Sequence, residues 1–470
     1  MTRIMFVQPL FTEQIGVMTL AAIARAKGHP VTSAVGSSKH ILRKAADFKP
    51  DIVAFSVMTG YQKGYLKLSR ALRERLEPRP LIVFGGPHPT FFPEIGLEPE
   101  VDLACRGEGE GALAEILDAV EGGGGFEGID NLVFQRDGRL VKNPLRPLVD
   151  LDQIPFPDRE IYDDYPFIAR APNVCFAAGR GCPYQCTFCF NRRMQEMVRG
   201  LGPYVRYRSV EGLLEEIDRV QKRRKIGQIQ FMDDTFVADP KWLFSFLEAY
   251  GSRFSIPFYC NVRADQLTRE MALALKGAGC RFVSFGVESG VERLRNQVLK
   301  KRIRDDQIRS TAAYLQEAGI PFNTTNMMGL PGESLEEALR TLELNLEIGA
   351  ETAWTSVYQP FPGTDLAEYC LEQGLIDLAI TSEDVVDTHT LSLLKQPQIE
   401  EVVRLQKFVH LVKRFPWTLG LVRRLIRYDH PTIYKYIHRT SYLLFYYRKA
   451  LGMSWWRTFK EGLVAWLHYR

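Results

Sequence analysis

The chain contains no run of about 18 uninterrupted apolar residues, so nothing in it reads as a membrane span, and a soluble or peripheral protein is expected. Cysteine is scarce. Eight in 470 residues are no disulfide framework. The opening Met1–Leu10 has one Arg and a short apolar run, which reads as a first strand and not as an export signal. Together these absences place the chain in a reducing cytosol, with peripheral contact at the inner membrane surface left open. With 46% hydrophobic and 25% charged residues, wholesale disorder is excluded, and the length allows two or three domains. The net charge of +4 is unevenly spread: residues 401–470 carry +11, which leaves −7 on the first 400.

What is present begins with three cysteines in eight residues, Cys182, Cys186 and Cys189, in Gly-Arg-Gly-Cys-Pro-Tyr-Gln-Cys-Thr-Phe-Cys-Phe. Three thiolates on one short loop can hold three irons of a cubane cluster and leave the fourth open to chemistry. The alternative is a four-cysteine zinc knuckle with Cys175. Zinc hooks normally come as two separated C-x2-C pairs, and only one such spacing occurs here.

The first 145 residues alternate buried strands (Ile4–Val7, Val31–Val35, Ile52–Val57, Leu81–Phe84, Val101–Ala104) with helical periodicity at Val17–Lys27 and Tyr65–Leu76. That is the rhythm of a doubly wound parallel sheet. Asn131–Val141, with Asp137-Gly138 at its middle, predicts a hairpin. Six prolines between Pro144 and Pro172 predict a linker without helix or ladder. Six strands follow, Val174–Ala178, Gln228–Met232, Phe258–Val262, Phe282–Val287, Asn323–Met328 and Trp354–Gln359, with helical patterns between them. The chain is therefore read as α/β: a Rossmann-like sheet (1–145), a Pro-rich linker (146–172), a (β/α)6 partial barrel (173–375) and a helical basic and aromatic C-terminal region (376–470).

The pattern C-x3-C-x-(aromatic)-C, with Phe188 as the aromatic residue, resembles the radical S-adenosylmethionine (SAM) superfamily signature. The resemblance implies a [4Fe–4S] cluster on Cys182, Cys186 and Cys189, whose open iron chelates SAM and whose reduction cleaves it to a 5′-deoxyadenosyl radical. It implies an adenine contact at Phe188 and SAM contacts at the strand ends: Asp233 and Asp234, Arg263, Glu288 with Ser289, Gly329 and Gln359. By the residues alone, one of the two aspartates reads equally as a helix cap, and Arg263 as a surface arginine.

The N-terminal region resembles the cobalamin-binding domain of the B12-dependent radical SAM class. The likeness rests on Pro50–Thr59, Gly85–Thr90 and Arg106–Glu110. It implies cobalamin held by Ser56, Thr59, Gly85, Gly86 and Pro87. A Rossmann-like domain with tight turns and no ligand is the alternative. The Asp-x-His-x-x-Gly motif that supplies a lower axial histidine elsewhere is absent, and His29 and His88 read as loop or cap residues.

The resemblance implies a C-methyltransferase that uses SAM, the cluster and cobalamin on an unactivated carbon, with an electron donor such as flavodoxin or ferredoxin. Its rivals are a ring-forming, ring-contracting or oxidising enzyme with the same cofactors, and a non-catalytic cobalamin carrier. A methylthiotransferase is the lesser rival, since that group carries its own N-terminal cysteines and a C-terminal RNA-binding module and this N-terminal region has only Cys105; no nucleic-acid partner is expected. Residues 401–470 hold 15 aromatics among 14 basic residues, including Trp417, Tyr446, Tyr447, Trp455, Trp456 and Trp466. That composition suits helices lying at a membrane interface, so a small lipophilic substrate is expected. A helical cap packed on the barrel is the other reading.

Overall fold

The computed structural model describes residues 1–376 and 391–447, so Trp455, Trp456 and Trp466 lie outside the described residues. The chain divides into two compact units: Met1–Gly181 with Met194–Met232, and Cys182–Arg193 with the chain from Asp233 onward.

In the first unit β1 (Ile4–Gln8), β2 (Val31–Val35), β3 (Ile52–Ser56), β4 (Leu81–Gly85) and β5 (Leu103–Cys105) run parallel, and β6 (Leu132–Arg136) and β7 (Arg139–Lys142) close the edge antiparallel. The order is β2-β1-β3-β4-β5-β6-β7. Side chains alternate faces along β1: Ile4 and Phe6 join one buried cluster with Val17 and Ile116, while Met5 and Val7 join another with Ile41 and Leu72. Helices thus cover both faces, and the strands read as continuous apolar runs. At the hairpin, Asp137 and Gly138 both take positive φ, as a two-residue turn matched to strand twist requires.

The proline segment is not wholly free of helix. Pro166 opens the four-residue helix Pro166–Ala169, in the first turn, where a missing N–H costs nothing. Aromatic hydroxyls tie this segment to the sheet: Tyr162 donates to Gln8 Oε1 at 2.7 Å, and Tyr165 Oη accepts from the Val35 N–H at 3.0 Å. Arg159, buried, bridges Glu13 and Glu216 at 3.1 and 3.0 Å.

Six βα repeats follow, consistent with a (β/α)6 partial barrel. β8 (Asn173–Phe176) and β11 (Gln228–Phe231) pair in parallel, and a small antiparallel ribbon of β9 (Gly179–Arg180) and β10 (Arg206–Tyr207) falls between them in sequence. In the second unit β12 (Phe258–Val262), β13 (Cys280–Glu288), β14 (Phe322–Met328) and β15 (Thr352–Val357) pair in order, all parallel. Side-chain caps at Ser209, Asp239, Thr268, Ser334 and Thr364 start five of the helices, each satisfying an otherwise unpaired N–H.

The described part of the C-terminal region is helical and packed. Val402, Leu405, Phe408 and Val412 are buried with Met328 of β14, Ala353 of β15 and Leu339 and Leu342 of the helix Leu335–Glu347.

Candidate functional site

The cysteine loop belongs to the second unit, together with every sequence-predicted SAM residue. The Cys189 N–H donates to the Cys186 carbonyl (3.1 Å), and the Thr187 N–H donates to the Leu299 carbonyl (3.1 Å), which pins the loop's middle. Burial pushes the Cys182 thiol up to about 11, and the charges of Asp234, Cys189 and Cys186 add to this; Cys189 is also raised, chiefly by burial. Raised thiols such as Cys182 and Cys189 become thiolates readily when a cationic centre replaces their protons.

Donors are already aimed at two of the sulfurs. Asn191 Nδ2 stands 3.5 Å from Cys189 Sγ, and Arg263 Nη1 stands 3.7 Å from Cys186 Sγ. N–H groups directed at sulfur are the surroundings that cluster-bound thiolates require. Among the described residues no three His, Cys, Asp or Glu side chains gather as around a single metal ion. The donor set fits a [4Fe–4S] cluster.

The predicted SAM residues fall into two groups. Asp234 is exposed and accepts from Asn191 Nδ2 at 3.1 Å; Asp233 is buried, and its carbonyl accepts from Asn261 Nδ2 at 3.0 Å. Neither caps the next helix, since Asp239 does that by accepting from the Trp242 N–H. Arg263 is buried, not a surface residue. Its Nε pairs with Asp265 at 2.7 Å, Nη2 donates to the Lys301 carbonyl, and the guanidinium lies 3.6 Å over the Tyr184 ring. Glu288 takes a positive φ of 64° at an irregularity in β13 and pairs with Lys301 Nζ at 2.6 Å. The cysteine loop, Asp234, Arg263 and Glu288 are therefore joined through Asn191 and Lys301.

The remaining SAM candidates have other contacts. Ser289 is 0% exposed; its hydroxyl accepts from the Val291 N–H and its carbonyl from buried Arg295, so it serves its own turn. Phe188 packs on the cluster of Leu294, Leu330 and Tyr358. Gln359 donates to the Leu391 carbonyl. Gly329 has a positive φ, and its missing Cβ makes room for Ile399 of the helix Ile399–Gln406, which a Cβ would meet at 3.0 Å. Gly290 is small because the helix backbone at Arg340 lies 2.5 Å from where a Cβ would be.

Sequence reasoning did not single out Lys301, Tyr184 or Asn191. The last two stand beside the cysteines and were findable by position. Lys301 lies in Lys300-Lys301-Arg302, which looks like an ordinary solvated basic run.

In the first unit the strand order reverses direction between β1 and β3, the crevice where open α/β sheets bind ligands. Leu10 and Phe11 after β1, and Met58 and Tyr61 after β3, are exposed there although large and apolar. An apolar rim at a switch point fits a large planar cofactor such as cobalamin. Thr59 Oγ1 lies 3.3 Å from His88 Nδ1, and burial pushes His88 down to about 4, which leaves it neutral. Ser56 and Gly85 end their strands, and Pro87 is exposed. Gly86 has a φ of +94° and would bring a Cβ to 2.9 Å from the Val57 N atom, so its smallness is required by the protein's own turn. In the Arg106–Glu110 segment the carboxylates are taken up by arginines: Glu108 pairs with Arg206 (2.6 Å) and Arg180 (2.9 Å), and Glu110 with Arg180 (2.6 Å). Burial would raise Glu108, but the hydrogen bonds and charges of Arg206 and Arg180 hold it below the usual carboxylate range.

Two parts of the chain match known families. Residues 177–344 match the family described as the radical SAM superfamily, and residues 4–117 match the B12 binding domain. An uncharacterized methyltransferase of Pyrococcus horikoshii is 28% identical over 370 residues, 77% of this chain and 75% of that protein. The anaerobic magnesium-protoporphyrin IX monomethyl ester cyclase of Rubrivivax gelatinosus is 27% identical over 70% of this chain and 60% of its own length. The hopanoid C-3 methylase of Methylococcus capsulatus is 24% identical over 75% of this chain and 68% of its own length. Two solved structures share the fold at 17% identity. The cobalamin-dependent SAM radical enzyme OxsB has a TM-score of 0.69, covering 94% of this chain and 72% of its own. The radical SAM methyltransferase TsrM of Kitasatospora setae, solved with tryptophan as substrate, has a TM-score of 0.66 over 79% of this chain and 76% of its own.

Proposed function

The chain belongs to the radical SAM superfamily and carries a B12-binding domain ahead of the barrel, and on that premise we propose a C-methyltransferase acting on an unreactive carbon of a lipophilic small molecule. The observation that carries the enzyme class is the three-thiol loop with N–H donors already directed at its sulfurs. When bound, the cluster and SAM supply hydrogen-atom abstraction, and cobalamin supplies the methyl group. The chain's own residues do the rest. Cys182, Cys186 and Cys189 hold three irons, Asp233, Asp234 and Glu288 offer carboxylates to the SAM ammonium and ribose hydroxyls, and the rim of Leu10, Phe11, Met58 and Tyr61 excludes water around cobalamin. An external electron donor of the flavodoxin or ferredoxin class completes the system.

The lipophilic half of this reading rests on the C-terminal helices. Trp417, Leu421, Ile433 and Tyr436 are exposed, among exposed Arg414, Arg424, Arg427 and Lys435. Apolar and aromatic side chains interleaved with basic ones suit docking on an anionic lipid surface, where each basic residue contributes about 1 kcal/mol. A hopanoid and a porphyrin in the names of two relatives belong to the same substrate class. TsrM, solved with tryptophan, shows that the fold alone does not demand it.

The test feeds SAM carrying a deuterated methyl group to the anaerobically reconstituted enzyme with a lipid extract from a deletion strain. Label entering an extract component supports methyl transfer. Turnover of a component without label supports ring formation or oxidation, the activity class in the cyclase relative's name. Sedimentation with anionic vesicles, comparing the native chain with Trp417→Ser/Tyr436→Ser, tests docking; a supernatant enzyme at low salt removes the lipid argument.

A further inference from the structure

We propose that Arg263 is a positioning residue for the cluster: it donates an N–H to the sulfur of Cys186 and thereby holds the reduction potential up. The proposal rests on the cluster assignment above. The guanidinium is held on several sides, although its Nε approaches Asp265 as an ion pair without hydrogen-bond geometry. Nη1 faces Cys186 Sγ at 3.7 Å, Nη2 donates to the Lys301 carbonyl, Nε pairs with Asp265 at 2.7 Å, and the planar face stacks on Tyr184 at 3.6 Å. Of the five N–H groups of the guanidinium, one on Nη1 and one on Nη2 are committed to that sulfur and that carbonyl.

The energetics follow from burial. Arg263 is 8% exposed and Cys186 also 8%, so their contact lies out of water, where electrostatic interactions are strengthened. A hydrogen bond to a ligand sulfur withdraws electron density and favours the more reduced, more negative state of the centre. The redox step is the addition of one electron from the external donor protein, with no proton or leaving group moved. Asp265 and the Lys301 carbonyl fix the guanidinium against rotation, and Tyr184 supports its face.

The experiment compares the full-length, anaerobically reconstituted enzyme with Arg263→Met and with Arg263→Gln/Asp265→Asn, the second chosen so that no buried carboxylate is left unpaired. Iron and sulfide content are counted, the reduced cluster is followed by electron paramagnetic resonance across a potential series, and SAM affinity is measured separately by equilibrium dialysis. The expected result is full cluster content, SAM affinity within about threefold, and a reduced-to-oxidised ratio at fixed poise lower by about tenfold, which is 59 mV for one electron. An unchanged ratio with SAM affinity down tenfold overturns the proposal and returns Arg263 to the carboxylate. Loss of the cluster from both variants overturns it in favour of structural support alone. A native protein that assembles no reducible cluster would sink the cluster assignment itself.

Discussion

Lys301 Nζ lies 2.6 Å from Glu288 Oε1, and both side chains are about nine-tenths buried. Glu288 stands in the left-handed region at φ 64°, which costs a non-glycine residue roughly 1 kcal/mol or more. Strain held in place by a buried ion pair marks this strand end as a place where the carboxylate's position matters. Removing one partner leaves the other charged and unpaired, so Lys301→Met is expected to lose about 3 kcal/mol of stability. The double change Lys301→Met/Glu288→Gln should recover much of that loss while SAM binding stays impaired. Denaturation curves and equilibrium dialysis separate the two effects; recovery of both together would remove Glu288 from the SAM site.

Cys182, Cys186 and Cys189 should each be required for the cluster. Anaerobic reconstitution is expected to give about four irons per chain, falling to near zero when any of the three becomes Ala. Cys105, Cys175, Cys260, Cys280 and Cys370 should be dispensable. Loss of metal on changing Cys175 would point back to zinc.

At the first sheet, neighbouring glycines should behave differently. A Cβ at Gly86 meets the Val57 N atom at 2.9 Å on a positive-φ backbone, so Gly86→Ala should lower the melting temperature whether or not cobalamin is present. At Gly85 the nearest contact is the Phe55 carbonyl at 3.9 Å, so Gly85→Val should fold normally. If cobalamin passes over this strand end, Gly85→Val weakens its binding by roughly tenfold, about 1.4 kcal/mol. Unchanged affinity in a folded Gly85→Val protein would move the cofactor elsewhere.

Glu333 carries a pH dependence. Burial pushes its carboxyl up to about 8, against the N–H groups of Leu330 and Gly329, which pull it down. The folded state therefore keeps a proton that the unfolded chain loses near pH 4.3. The stability this gives is fully present below that point and declines as pH rises toward 8, by at most about 1.4 kcal/mol per pH unit. Urea denaturation should show the native protein weakening between pH 5.5 and 8 relative to Glu333→Gln, whose amide oxygen can still accept both N–H groups. Parallel curves for the two proteins would refute this.

Local signals carried most of the fold in the bare sequence. Short continuous apolar runs marked the strands, and the Asp137-Gly138 dipeptide marked its hairpin, because these depend on residues a few positions apart. The cysteine spacing named the cluster loop for the same reason. What a charged or small side chain contacts could not be read that way. Arg263 and Cys186 are 77 positions apart, and only folding brings the guanidinium to that sulfur. Lys301, in a run that looks solvated, is buried because Glu288 is turned toward it. Gly86 and Gly290 are small to clear the protein's own backbone, a requirement that arises only where distant segments are pressed together. Periodicity and capping are properties of a segment, whereas desolvation and charge pairing are properties of a place, and the place exists only in the folded chain.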